Sequence, residues 1–154
     1  MERLRSFLMT FLRLTQLVHL TQQMIQRGFH TRDFLIAGSA RVLVEGWIDE
    51  INDIDIVARG QTLEAAFELA FREGHNGLAV GKITGDKTAQ LYGGRVEVSQ
   101  RWVGIDKEPD RLIDDADVIG GLRFLSLADV AAYKRRLNRP KDRHILEELR
   151  RRGY

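Results

Sequence analysis

The stretch from Phe34 to Val57 constrains this chain most. Four apolar residues, Phe34 to Ala37, run into a small-residue turn, Gly38-Ser39-Ala40. A short helical segment, Arg41 to Glu45, stops at Gly46, and a second strand, Asp53 to Val57, carries carboxylates at alternate positions. Successive strand residues point to opposite faces, so Asp53 and Asp55 are expected to project together while Ile54 and Ile56 turn away. Two carboxylates roughly 6–7 Å apart along a strand can converge on one or two divalent cations. A hard ion such as Mg2+, or Mn2+ in its place, takes a few carboxylate oxygens and completes its shell with water and substrate phosphates. Gly38 lets the backbone approach a ligand, the following helix start offers amides to an anion, and Ser39 adds a hydroxyl donor. Taken singly, an Asp-x-Asp or a Gly-Ser pair is common and mostly a solvated turn. The whole ordered series is far more specific, and it suits polyphosphate chemistry.

This stretch resembles the nucleotidyltransferase superfamily, the fold of DNA polymerase beta, and most closely its small bacterial minimal nucleotidyltransferase and abortive-infection toxin members. The signature there is a Gly-Ser or Gly-Gly turn, a short helix, and Asp-x-Asp on the next strand. Here it stands as Gly38-Ser39, thirteen residues from 40 to 52, then Asp53-Ile54-Asp55. The spacer is slightly longer than is common, and Ile51-Asn52 replaces the Arg-x-Thr found in many relatives. The resemblance implies an α/β (α+β) domain, a small mixed β-sheet flanked by helices with the site at the sheet edge. It also implies transfer of a nucleoside monophosphate from an NTP to an acceptor hydroxyl, assisted by Mg2+ or Mn2+. A toxin–antitoxin or phage-defence setting goes with that likeness.

Composition sets the outer bounds. At 154 residues the chain is expected to form one domain: an N-terminal helical segment (1–30), a catalytic α/β core (33–125) and C-terminal helices (126–154). Net charge is only +2, which makes no case for nucleic acid or membrane. The absence of cysteine excludes disulfides and thiolate metal sites and is compatible with a cytoplasmic location. No apolar run approaches the roughly 18 residues of a membrane span. The basic, then apolar, N-terminus is interrupted by Arg13 and has no small-residue cleavage site after it, so no signal peptide is expected.

Before the central stretch, apolar residues recur at spacings of three and four from Leu4 to Ile25, which predicts one helix over 1–28, with a candidate break near Thr15, that ends at Gly28. Its stripe either packs on the domain or forms a face for a protein partner. After the central stretch, Thr62 reads as an N-cap for a helix from Leu63 to Glu73, and His75 as a solvated loop residue. Segments 78–84 and 88–92 read as short strands, and Gly93-Gly94 as a hairpin turn into Arg95 to Ser99. There Val96 and Val98 share one face and Glu97 the other. If this strand lies beside 53–57, Glu97 comes within reach of the aspartate pair, since neighbouring strands are about 4.8 Å apart.

The superfamily places its third carboxylate, usually Asp, at that position. The resemblance implies Glu97 as a third metal ligand and as a base toward the attacking hydroxyl. The competing reading is a surface Glu paired with a cross-strand Lys or Arg, with Asp106 as the reserve third acid. Residues 110–119 suggest a short acidic helix with Asp114, Asp115 and Asp117 in solvent. A strand, Leu122 to Leu125, a helix capped by Ser126 and running through Leu137, and a last helix from Pro140 to near Arg152 complete the chain.

This tail carries nine Lys and Arg between Lys134 and Arg152, and it too resembles the superfamily. Relatives have a helix with a Lys followed by an Arg-x-Lys-Asp element, matched by Lys134 and Arg139-Pro140-Lys141-Asp142. Lys134, Arg139 and Lys141 are therefore expected to contact the triphosphate, with a structural Lys134–Asp142 pair as the equal alternative. Trp47 and Trp102 either stack on a base or pack. The acceptor stays open among a protein, an RNA end and a small molecule, and a catalytically silent nucleotide- or partner-binding domain is the rival from another class.

Overall fold

The computed structural model describes residues 11–72, the backbone of 78–80, and residues 85–154. Helix α1 spans Leu14–Gln26 and buries Leu17, Leu20, Thr21 and Met24, the inner side of the apolar stripe. It closes as expected at Gly28, where φ is +105°, with Gly28 N donating to Ile25 O at 3.2 Å and Phe29 N to Met24 O at 3.1 Å. That paired closure uses glycine because the left-handed backbone costs it no Cβ clash. Ahead of α1, helical spacing misleads. Leu12 is extended and exchanges two backbone hydrogen bonds with Ile51, at 2.7 and 2.8 Å, which ties the start of the described chain to the loop before Asp53. The part of the expected helix at 1–10 lies outside the described residues.

The fold is α/β, and among the described residues its mixed sheet has seven strands in the order β3-β4-β5-β2-β1-β7-β6. In chain order these are β1 (Phe34–Ile36), β2 (Ile54–Ala58), β3 (Leu78–Val80), β4 (Lys87–Leu91), β5 (Val96–Ser99), β6 (Asp117–Ile119) and β7 (Leu122–Phe124). Helix α2 (Ala40–Val44) follows β1, α3 (Gly60–Arg72) follows β2, and α4 (Pro109–Asp114) precedes β6. Helices α5 (Leu127–Leu137) and α6 (Pro140–Arg151) end the chain. Strands β1 and β2 are antiparallel, whereas β2 runs parallel to β5 and β1 parallel to β7.

Alternation along the central strands builds two cores. Ile36, Ile54, Ile56, Val96 and Val98 face α1 and α3 on one side; Leu35, Val57, Leu125, Tyr133 and Leu149 gather on the other side with α5 and α6. Each fully buried Ile or Val contributes about 1.5–3 kcal/mol. A one-residue slip of β2 would exchange Ile54 and Ile56 for Asp55 and is therefore excluded by several such terms. The outcome is that Asp55 and Glu97 stand on the α5–α6 face.

Two expectations are corrected. Helix α3 begins at Gly60, so Thr62 is inside it and fully buried; its hydroxyl accepts from His30 N at 3.1 Å instead of capping the helix. The segment 110–119 is not one helix: α4 stops at Asp114 and β6 pairs with β7 around Gly120-Gly121. Asp114 and Asp117 are exposed in part but engaged, Asp114 with Arg59 at 2.8 Å and Asp117 with the buried Arg41 at 3.1 Å. His75 and residues 81–84 lie outside the described residues. No helix among the described residues is long and apolar enough to cross a membrane.

Candidate functional site

A cleft of about 570 Å³ opens on the α5–α6 face of the sheet, where β2 and β5 emerge beside the Gly38-Ser39 turn. Every residue expected at the site lines it. Asp53, Asp55 and Glu97 come from the sheet, Gly38 and Ser39 from the β1–α2 turn, and Lys134, Arg139 and Lys141 from the C-terminal helices and their junction.

The acidic wall follows from strand register. Asp55 is paired in register with Glu97 across the parallel β2–β5 ladder, and Glu97 is paired with Gln90 across the antiparallel β4–β5 ladder. Asp53 sits just before β2 and is exposed at the rim. Burial, together with the like charges of Asp53 and Glu97, pushes the Asp55 carboxyl up to about 7, with Lys141 and Lys134 offsetting part of this. Burial also raises Asp53, again against Lys141.

Gly38 is required where it stands. Its φ is +68°, and a Cβ built on it would lie 3.1 Å from Oδ2 of Asp55. The turn is pinned from below by Ala37 N, which donates to Asp55 O at 2.7 Å. Helix α2 starts at Ala40, directly after Ser39, and is only five residues long.

On the opposite wall, Asp142 is fully buried and gathers two of the three expected phosphate cations. Lys134 Nζ donates to its Oδ1 at 3.1 Å, while Arg139 donates from Nε to Oδ2 at 2.7 Å and from Nη2 to Oδ1 at 3.0 Å. Backbone N of Arg139 adds a bond to Oδ2 at 3.2 Å, so the same carboxylate caps α6. Burial opposes the charge on Asp142, but Arg139 and Lys134 outweigh it and hold the carboxyl below its usual range. Burial lowers Lys134 in spite of that partner. The structural alternative for Lys134 is thus the observed arrangement. Lys141 differs: it is exposed, and among the described residues it has neither an ion pair nor a hydrogen bond, although its charge acts on both Asp53 and Asp55.

Two residues at the site, Tyr133 and Gln90, were not singled out by sequence. Tyr133 is buried in the cleft wall, its backbone and Cβ against Gly104 and its ring edge-on to Trp102 at 5.3 Å, with the Ser39 hydroxyl beside its own. Burial pushes its phenol far above the ordinary value. Trp102 is a packing residue whose buried Nε1 has no partner among the described residues, and Trp47 carries the Arg152 guanidinium 4.0 Å over its ring. Gln90 faces Glu97 and donates to it from Nε2. The reserve acid Asp106 is corrected: it lies outside the cleft, exposed, paired with Arg136 at 3.2 Å.

A divalent cation suits this donor set chemically. The wall offers only hard oxygen donors, and the crowding that raises Asp55 is the repulsion a cation relieves. Among the described residues, however, no three Asp, Glu or His side chains form a ready-made metal cage. No protein-family model matches the chain, and no curated protein or solved structure matches it either.

Proposed function

We propose that the chain is a metal-dependent nucleotidyltransferase that moves a nucleoside monophosphate from an NTP to an acceptor hydroxyl. The observation that carries this is the in-register pair Asp55 and Glu97, set with Asp53 beside a glycine turn where an added Cβ would lie 3.1 Å from Asp55 Oδ2. Three carboxylates brought together at a cost in repulsion are hard to account for without a cationic ligand. Mg2+ or Mn2+, when bound, would polarise the α-phosphate and neutralise the leaving group.

In this proposal Asp53, Asp55 and Glu97 hold the cation, and Gly38 and Ser39 steady the outer phosphates by hydrogen bonds. Lys141 supplies the cation that reaches the phosphates, since Lys134 and Arg139 are tied to Asp142. Glu97 takes the proton from the acceptor hydroxyl as its oxygen bonds the α-phosphorus. The bond from that phosphorus to the bridging oxygen breaks, and pyrophosphate leaves. The cytoplasm is the proposed setting.

The test uses NTPs labelled at the α-phosphate, with cellular protein, RNA and small hydroxyl compounds as acceptors. Stable label on one acceptor class, lost in Asp53→Asn and absent when the γ-phosphate carries the label, is the expected result. Equal labelling by Asp53→Asn would sink the proposal. A catalytically silent nucleotide- or partner-binding domain is the second reading. It is favoured by the engagement of Lys134 and Arg139 with Asp142, and its partner would meet α1, where Leu14, Val18 and Ile25 are exposed.

A further inference from the structure

Three adjacent strands carry a row of polar side chains across the cleft: Gln90 on β4, Glu97 on β5 and Asp55 on β2. Gln90 Nε2 donates to Oε2 of Glu97, and among the described residues no other donor bonds that carboxylate. The amide lies beside the turn at the end of β4, its Oε1 3.7 Å from the point a Cβ on Gly94 would occupy. We propose that Gln90 is a positioning residue: it fixes the Glu97 carboxylate so that Oε1 is presented to a divalent cation held with Asp55. This rests on the metal-dependent reading above.

The residue type supports the assignment. A surface Glu on this strand was the competing expectation, with a cross-strand Lys or Arg as its partner. Such a cation would neutralise Glu97 and compete with a metal ion for it. A carboxylate at the Gln90 position would add to the repulsion that Glu97 already meets from Asp55. The neutral amide does neither: it restrains a side chain with three rotatable bonds, leaves the negative charge intact and occupies one oxygen only. Ligating carboxylates are commonly held by such outer hydrogen bonds, and loss of one weakens metal binding 10–100-fold.

The experiment is Mn2+ titration of the full chain, read from the electron paramagnetic resonance signal of the free ion. Gln90→Met keeps length and removes the donor; Gln90→Lys places a cation beside Glu97. Both are expected to weaken Mn2+ binding at least tenfold with the circular dichroism spectrum retained. In a Glu97→Gln background, Gln90→Met is expected to have no further effect, because Gln90 acts through Glu97. Wild-type affinity in both Gln90 variants, with binding lost in Asp55→Asn, would overturn the role of Gln90 and leave the metal reading standing. An equal loss from Gln90→Met in the Glu97→Gln background would also overturn it. A wild-type chain that takes up no Mn2+ would overturn both.

Discussion

Asp55 and Glu97 face each other directly across two parallel neighbouring strands, and among the described residues no Lys or Arg is bonded to either. Like charges in directly opposed positions destabilise a sheet. Here the cost is visible at Asp55, whose carboxyl is pushed up to about 7 by burial and by Asp53 and Glu97. The native chain therefore holds this proton more tightly than the unfolded chain does.

Linkage fixes the sign of the pH dependence. Between the ordinary carboxylate value of 3.8 and about 7, the folded state binds more protons at Asp55 than the unfolded state. This group's contribution to stability therefore falls as pH rises through that window. Asp55→Asn is expected to remove that dependence and to stabilise the metal-free protein at pH 8 by about 1–3 kcal/mol, less than full linkage because solvent reaches the cleft. The same variant should lose transferase activity. Thermal melts of both proteins from pH 4 to pH 8 check this, and a metal-free Asp55→Asn no more stable than wild type at pH 8 contradicts it.

Gly38→Ala should separate the turn from the rest of the fold. A side chain there meets Asp55 Oδ2 at 3.1 Å in a left-handed backbone, so the turn or the carboxylate must shift. We expect a loss of about 1–2 kcal/mol of stability and at least a tenfold loss of NTP affinity. Urea unfolding and NTP titration measure the two effects independently.

The cations on the opposite wall should divide into two kinds. Asp142→Asn leaves Lys134, which is buried to 4 % exposure, without its charged partner. Removing one member of such a pair costs about 3–5 kcal/mol, so Asp142→Asn is expected to lower the melting temperature sharply.

Lys141→Met, by contrast, should leave the melting temperature within a few degrees and weaken NTP binding about tenfold. Its ammonium has no ion pair to lose among the described residues. Titration with an NTP and Mg2+ decides: unchanged affinity in Lys141→Met would remove this residue from the phosphate site.

How far the sequence reached depends on the range of the interaction. Period-two alternation placed Asp53 and Asp55 opposite Ile54 and Ile56, and Glu97 opposite Val96 and Val98, because burial of those apolar residues dictates the face. Register was not legible: β2 and β5 pair only after an excursion through α3, β3 and β4, and nothing local marks Glu97 as the partner of Asp55. Gln90 became visible only through that register. Thr62 misled because its hydroxyl serves a tertiary partner, His30 N, where local chemistry suggested a cap. Strand β6 was hidden by its shortness and by Asp117, whose charge is answered by Arg41 from a distant part of the chain.

Calorimetric titration of each NTP, with and without Mg2+, on wild type and on Asp53→Asn is the decisive measurement for a metal-dependent nucleotide site. Binding of at least one NTP is expected that requires Mg2+ and disappears in Asp53→Asn. Binding that survives both the removal of Mg2+ and the loss of Asp53, or no binding of any NTP by wild type, would contradict it.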